Sequence, residues 1–140
     1  MEIKIAENEA EILSCFDVLQ ELRPHLCKEK FVATIGKLAA TTNFKLVYLT
    51  DSGVKAVAGI RISEWLYSGR YLEIEDLITT QSERSKGYGG ILFDWLHDYA
   101  ITHHCDQLRL VSGVARESAH RFYLRKGMIF EAKYFSMNIK

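Results

Sequence analysis

Ile3 and Ile5 alternate with polar neighbours, a period of two that predicts a short first strand. The period then lengthens. Ile12, Leu13, Phe16, Leu19 and Leu22 recur at helical spacing behind an acidic stretch at 7–11, which suits a helix N-terminus. Pro24, the only proline, ends that helix and opens the segment Arg23-Pro24-His25-Leu26. Phe31, Ile35, Leu38 and Ala39 form a second, weaker helical stripe that closes at Thr41-Thr42-Asn43. Apolar, β-branched runs at 44–49 and 54–62 flank Asp51-Ser52-Gly53, which reads as a hairpin. A further strand at 71–79 is reached through Ser68-Gly69, and Leu92, Trp95, Leu96, Tyr99, Ala100 and His103 then mark one face of a helix. Residues 108–111 predict a short buried strand, 115–126 a helix closed by Gly127, and 130–139 a final strand.

The predicted order is β-α-α-β-β-β-α-β-α-β. Crossover helices between strands imply some parallel pairing and the central hairpin implies antiparallel pairing, so the fold class is α/β (α+β) with a mixed central sheet. A chain of 140 residues suits one domain spanning 1–140, with no internal repeat or linker.

Eighteen basic side chains balance eighteen acidic ones. That neutrality speaks against nucleic acid or an anionic membrane as partner. Cys15, Cys27 and Cys105 are odd in number and form no Cys-x-x-Cys pair, which points to a reducing compartment. The first residues lack an apolar leader, and no run reaches membrane-span length, so a cytoplasmic location is expected.

Chemistry concentrates in Arg84-Ser85-Lys86-Gly87-Tyr88-Gly89-Gly90, a basic, glycine-rich loop between a strand and a helix. Three glycines in four positions let backbone N–H groups approach an anion, and the helix that starts there adds its unpaired first-turn donors. A tight strand-to-helix connection would have the same composition. The loop has neither the Gly-Lys-Ser/Thr of a Walker loop nor the G-x-G-x-x-G dinucleotide pattern. The remaining signature, Arg-x-x-Gly-x-Gly-Gly after a strand, resembles the pyrophosphate loop of the GNAT acetyltransferase superfamily. The element order resembles that fold too, so the resemblance spans nearly the whole chain.

The resemblance implies a sheet of six to seven strands with about four helices, binding acetyl-CoA as cosubstrate and no metal. Backbone groups of Leu77, Ile78 and Thr79 would pair with the pantetheine arm, and the backbone of Arg84, Ser85, Lys86, Gly87, Tyr88, Gly89 and Gly90 would take the diphosphate. Strict alternation puts Glu73 and Glu75 on one strand face and Asp76 on the other, with Leu72, Ile74 and Ile78. By resemblance Glu75 is the general base, with Glu73 as substitute; an exposed acidic strand edge would carry the same residues. The segment from Arg116 to Met128 resembles the family's Asn-x-x-Ala-x-x-Phe-Tyr-x-x-x-Gly-Phe, in which the tyrosine protonates the leaving thiolate. That role falls on Tyr123, and Arg116 departs from the family's Asn. Arg only donates where an amide would also accept.

His103-His104-Cys105 projects in different directions on a helix and makes a poor metal site. The expected activity is N-acetyl transfer to a primary amine of a small molecule by direct attack. A protein or peptide amine, or an acyl-CoA-binding module without catalysis, stands as the alternative. A homodimer is left open.

Overall fold

A computed structural model describes residues 1–140. The opening alternation forms β1 (Glu2–Ile5), and the expected hairpin joins β2 (Lys45–Thr50) to β3 (Val54–Trp65). Ser52 (φ +54°) and Gly53 (φ +109°) turn the chain through the left-handed region, so that the Asp51 N–H reaches the Gly53 carbonyl at 2.9 Å. β4 (Gly69–Thr79) returns antiparallel to β3, and β5 (Gln107–Leu110) completes a mixed five-stranded sheet in the order β1-β2-β3-β4-β5.

The helices are α1 (Glu9–Ser14), α2 (Phe16–Leu22), α3 (Lys28–Thr42), α4 (Tyr88–Thr102) and α5 (Glu117–Arg125). The single helix expected over 12–22 divides at Cys15. Ser14 Oγ (2.6 Å) and Cys15 Sγ (3.5 Å) both donate to the Glu11 carbonyl, and the Cys15 N–H turns to Ile12, a tighter bond than the α-helix uses. Asn8 caps α1 by accepting from the Glu11 N–H at 2.9 Å. Asn43 (φ +59°) ends α3, at the predicted stop.

The chain divides into two compact units, Met1–Arg109 and Leu110–Lys140. In the first, Phe16, Leu19, Phe31 and Ile35 from α2 and α3 pack with Phe44, Leu46, Tyr48, Val57 and Ile78 of the sheet region. Leu92, Phe93, Leu96 and Ala100 are the buried stripe of α4. In the second, α5 ends on Gly127 (φ +94°), with the Gly127 N–H on the Leu124 carbonyl and the Met128 N–H on the Tyr123 carbonyl. This double bond pattern is the Schellman closure that a glycine after a helix favours.

Two expectations need correction. The final strand over 130–139 does not form, and the sheet has five strands where six to seven were expected; five α-helices replace about four. Alternation in that segment supplies an apolar face, but a strand also requires a neighbour to take its backbone donors and acceptors.

The second correction lies in β4. Its register with β3 shifts between Gly59 and Ile60: Asp76 faces Gly59, Ile74 faces Ile60, and Glu75 is the extra residue of a bulge. Cross-strand partners share a face, so the shift reverses the alternation. Asp76 and Ile78 therefore lie on the α2 and α3 side together with Glu73, while Leu72 and Ile74 lie on the opposite side. Gly59 makes room for this. A Cβ there would fall on the Asp76 carboxylate and 2.6 Å from the buried Phe44 ring. Gly59→Ala should destabilise the protein by roughly 1–3 kcal/mol through overpacking, read as a lower urea midpoint with unchanged slope.

Candidate active site

The bulge gathers three carboxylates on one face of β4, and each meets its own arginine. Glu73, buried on the strand, accepts from Arg109 Nε at 2.6 Å. The Arg109 guanidinium is itself held between rings, 3.9 Å from the Trp65 centroid and 3.6 Å from that of Tyr71. Glu75 Oε2 pairs with Arg61 Nη2 at 2.7 Å. Asp76 Oδ1 accepts from Arg23 Nε at 2.8 Å, and a second Arg23 nitrogen donates to the Glu75 carbonyl at 3.0 Å. Arg23 sits where the chain leaves α2, ahead of the proline, so the predicted helix stop also delivers a cation to β4.

Among these acids Glu75 is held above the usual carboxylate range. Burial is the largest cause, Arg61 opposes it, and the neighbouring Asp76 and Glu73 charges add to it. Glu73 is committed to Arg109 and almost closed to solvent, which suits an anchor better than a proton acceptor. No group of three or more His, Cys, Asp or Glu residues is placed to hold a metal ion.

Beyond Glu75, β4 runs straight towards the glycine-rich loop. Leu77, Ile78 and Thr79 pair with Ala58, Val57 and Ala56 on the β3 side. On the other side β5 has four residues against eleven in β4, and its anchors lie at the start of β4. The Asp106 N–H bonds the Arg70 carbonyl at 2.6 Å, and Arg109 reaches Glu73. So short a strand pairs with only part of β4. Glu21 of α2 then ties down the chain entering the loop, accepting from Thr80 Oγ1 at 2.6 Å and the Gln81 N–H at 2.8 Å ahead of a 3-10 turn at Gln81–Glu83.

The loop has the features of an anion cradle. Ser85 (φ +70°) and Gly87 (φ +86°) turn through the left-handed region, and Gly87 caps α4 with no side-chain bond to its first N–H groups. The first turn of α4 holds no acid. Those donors and the positive helix end are thus left for an anion. A Cβ on Gly89 would lie 3.0 Å from Thr79 Oγ1, a tight contact that glycine avoids where helix and strand approach. Arg84 and Lys86 are exposed; Lys86 pairs with Glu83 at 2.5 Å, and Lys55 approaches the same carboxylate at 3.4 Å. The Tyr88 hydroxyl donates to Asp51 Oδ2 at 2.8 Å, fastening the first turn of α4 to the β2–β3 turn.

The second unit carries Tyr123 on α5, with Phe122 edge-on beside it at 5.6 Å. Burial pushes the Tyr123 phenol above its ordinary value, with the charge and hydrogen bond of Arg116 opposing. Arg116 is the N-cap residue of α5; its N–H bonds the Gly113 carbonyl at 3.1 Å, and His120 Nε2 lies 2.8 Å from the same oxygen. His120 therefore ties the preceding loop to the helix.

Arg61 and Arg109 are the site residues that the sequence did not reveal. Their signal was a cation set between apolar neighbours in a strand run, Arg61 between Ile60 and Ile62 and Arg109 between Leu108 and Leu110, where an unpaired charge would be costly.

The fold is a mixed α/β one in which an extended strand carrying a buried acid leads into a glycine-rich loop and an uncapped helix start. The chain belongs to the Acetyltransferase (GNAT) family, whose model matches residues 11–128. It is 32% identical over 122 residues to the uncharacterized N-acetyltransferase YhdJ of Bacillus subtilis (strain 168), covering 86% of each chain. Its fold is similar to the ribosomal-protein-alanine N-acetyltransferase of Brucella melitensis biovar Abortus 2308, with a TM-score of 0.83 at 13% identity over 99% of this chain and 100% of that one. It is also similar to glucosamine-6-phosphate N-acetyltransferase of Arabidopsis thaliana, with a TM-score of 0.76 at 18% identity over 100% of both.

The Glu73–Arg109 pair offers a test of the acidic face. Arg109→Met should cost roughly 2–3 kcal/mol in urea unfolding by leaving a buried carboxylate without its partner. Adding Glu73→Leu should recover much of that loss; a double variant no better than the single one would mean that packing of Arg109 between the rings, not its charge, stabilises this region.

Proposed function

We propose that the protein transfers an acetyl group from acetyl-CoA to a primary amine of a small molecule by direct attack, without an acyl-enzyme. The observation that carries this reading is Glu75: a partly buried carboxyl with raised proton affinity, on the strand that leads into the cradle. Family membership supports the acetyltransferase class. The two structural neighbours named above act on different acceptors with one fold, so the fold leaves the acceptor undecided.

The residues present fit the cosubstrate. The uncapped N–H groups at the start of α4, the loop backbone from Arg84 to Gly90 and the Arg84 charge suit a diphosphate. The outer edge of Leu77, Ile78 and Thr79 suits an extended amide chain, which can pair as a strand would. Acetyl-CoA supplies the activated acyl carbon. Glu75, directly or through water, takes the proton from the acceptor ammonium and so frees the lone pair that forms the new C–N bond. Tyr123, still protonated at neutral pH, would give its proton to the sulfur as the C–S bond breaks; the second proton that the amine nitrogen loses as the amide forms passes to solvent, from which the phenolate is reprotonated.

An acetyl-CoA assay with a panel of small amines, followed by free-thiol release, tests the reading; coenzyme A that fails to raise the melting temperature would overturn it. Glu75 must be ionised to accept a proton, so kcat/KM should fall as pH drops through its pKa. Because that pKa is raised, the fall should begin above the range of an exposed glutamate. Glu75→Gln should remove this acid limb and slow turnover about 10²-fold or more. Tyr123→Phe should reduce kcat by a similar factor while coenzyme A affinity stays the same; unchanged kcat would take Tyr123 out of the chemistry.

A further inference from the structure

We propose that Arg61 is a positioning residue whose charge keeps Glu75 ionised and aimed at the acceptor, an inference that rests on reading Glu75 as the proton acceptor. Glu75 is the bulge residue, so it has no partner of its own in the ladder. The residue in register with Arg61 is Glu73, yet Arg61 Nη2 goes to Glu75 Oε2 at 2.7 Å. Allocation of the other charges explains why. Arg109 of β5 has taken Glu73 at 2.6 Å, and Arg23 has taken the Asp76 carboxylate at 2.8 Å and the Glu75 carbonyl at 3.0 Å. The carboxylate of Glu75 is thus left to Arg61.

The groups facing Glu75 are Arg61 from β3, Glu73 and Asp76 from its own strand and Arg23 from the end of α2, with Arg109 of β5 acting through Glu73. Burial and the two neighbouring acids favour the protonated form; Arg61 is the charge that opposes them. A base in such surroundings needs this balance. Without Arg61 it would be protonated over more of the working range and could accept nothing. Both side chains are a third exposed, so the ion pair should contribute little to stability. That separates the proposed role from a structural one.

Arg61→Met should leave the melting temperature and coenzyme A affinity close to those of the parent protein. The Glu75 carboxyl titration, followed by NMR in protein carrying carbon-13-labelled glutamate, should move to higher pH. The acid limb of kcat/KM should move with it, giving a several-fold deeper loss on the acid side of the profile. Arg61→Lys, which restores the charge but not the planar fork, should lie between the two, and carries the test if the methionine variant does not fold. A Glu75 titration unmoved in either folded variant overturns the proposal. A titration that moves while the limb stays in place would uphold the Arg61–Glu75 coupling and overturn Glu75 as the proton acceptor.

Discussion

The register shift between β3 and β4 is the constraint on which the acidic face depends. One extra residue at Glu75 reverses the alternation of β4, so Asp76 joins Glu73 and Glu75 on the side facing α2 and α3. A regular strand would have sent Asp76 to the other face, among the apolar Leu72 and Ile74. Gly59 is the counterpart on β3, because any side chain there would occupy the space of Asp76 and Phe44. Bulges re-aim side chains at the cost of ladder bonds, and here the change of aim brings the three acidic side chains together.

Three acids on one strand face would repel one another and resist burial unless cations entered from outside β4. The fold brings one arginine from each surrounding direction: Arg61 from β3, Arg109 from β5 and Arg23 from the end of α2. The three pairs are not equivalent. Glu73 lies nearly closed off beneath Arg109, whose guanidinium lies against the Trp65 and Tyr71 rings. Glu75 keeps partial contact with solvent and a raised proton affinity, a combination that leaves it able both to hold and to exchange a proton. Electrostatic balance on this face is thus a matter of which arginine is already occupied.

The cradle rests on simpler physics. An α-helix beginning at Tyr88 leaves its first N–H groups without internal partners, and neither a capping side chain nor a first-turn acid takes them up. Glu21 and Asp51 hold the loop from its two sides, the first through Thr80 and Gln81 and the second through Tyr88. A loop so tied has little conformational freedom left to lose, which is the physical content of preorganisation.

Local chemistry explains what could be read from the chain alone. The hairpin at Asp51-Ser52-Gly53, the glycine closure of α5, the proline stop after α2 and the cradle all follow from backbone preferences of a few adjacent residues. Hence they were legible, and with them the family. The bulge, the partners of Glu73, Glu75 and Asp76, and the missing strand at 130–139 depend on residues far apart in sequence. Arg61 and Glu75 are fourteen positions apart, and Arg109 and Glu73 thirty-six. Alternation in one strand cannot reveal where its neighbour slips by a residue, nor whether a neighbour is present to pair with it. Those outcomes belong to packing and pairing across the sheet, and only the assembled tertiary structure decided them.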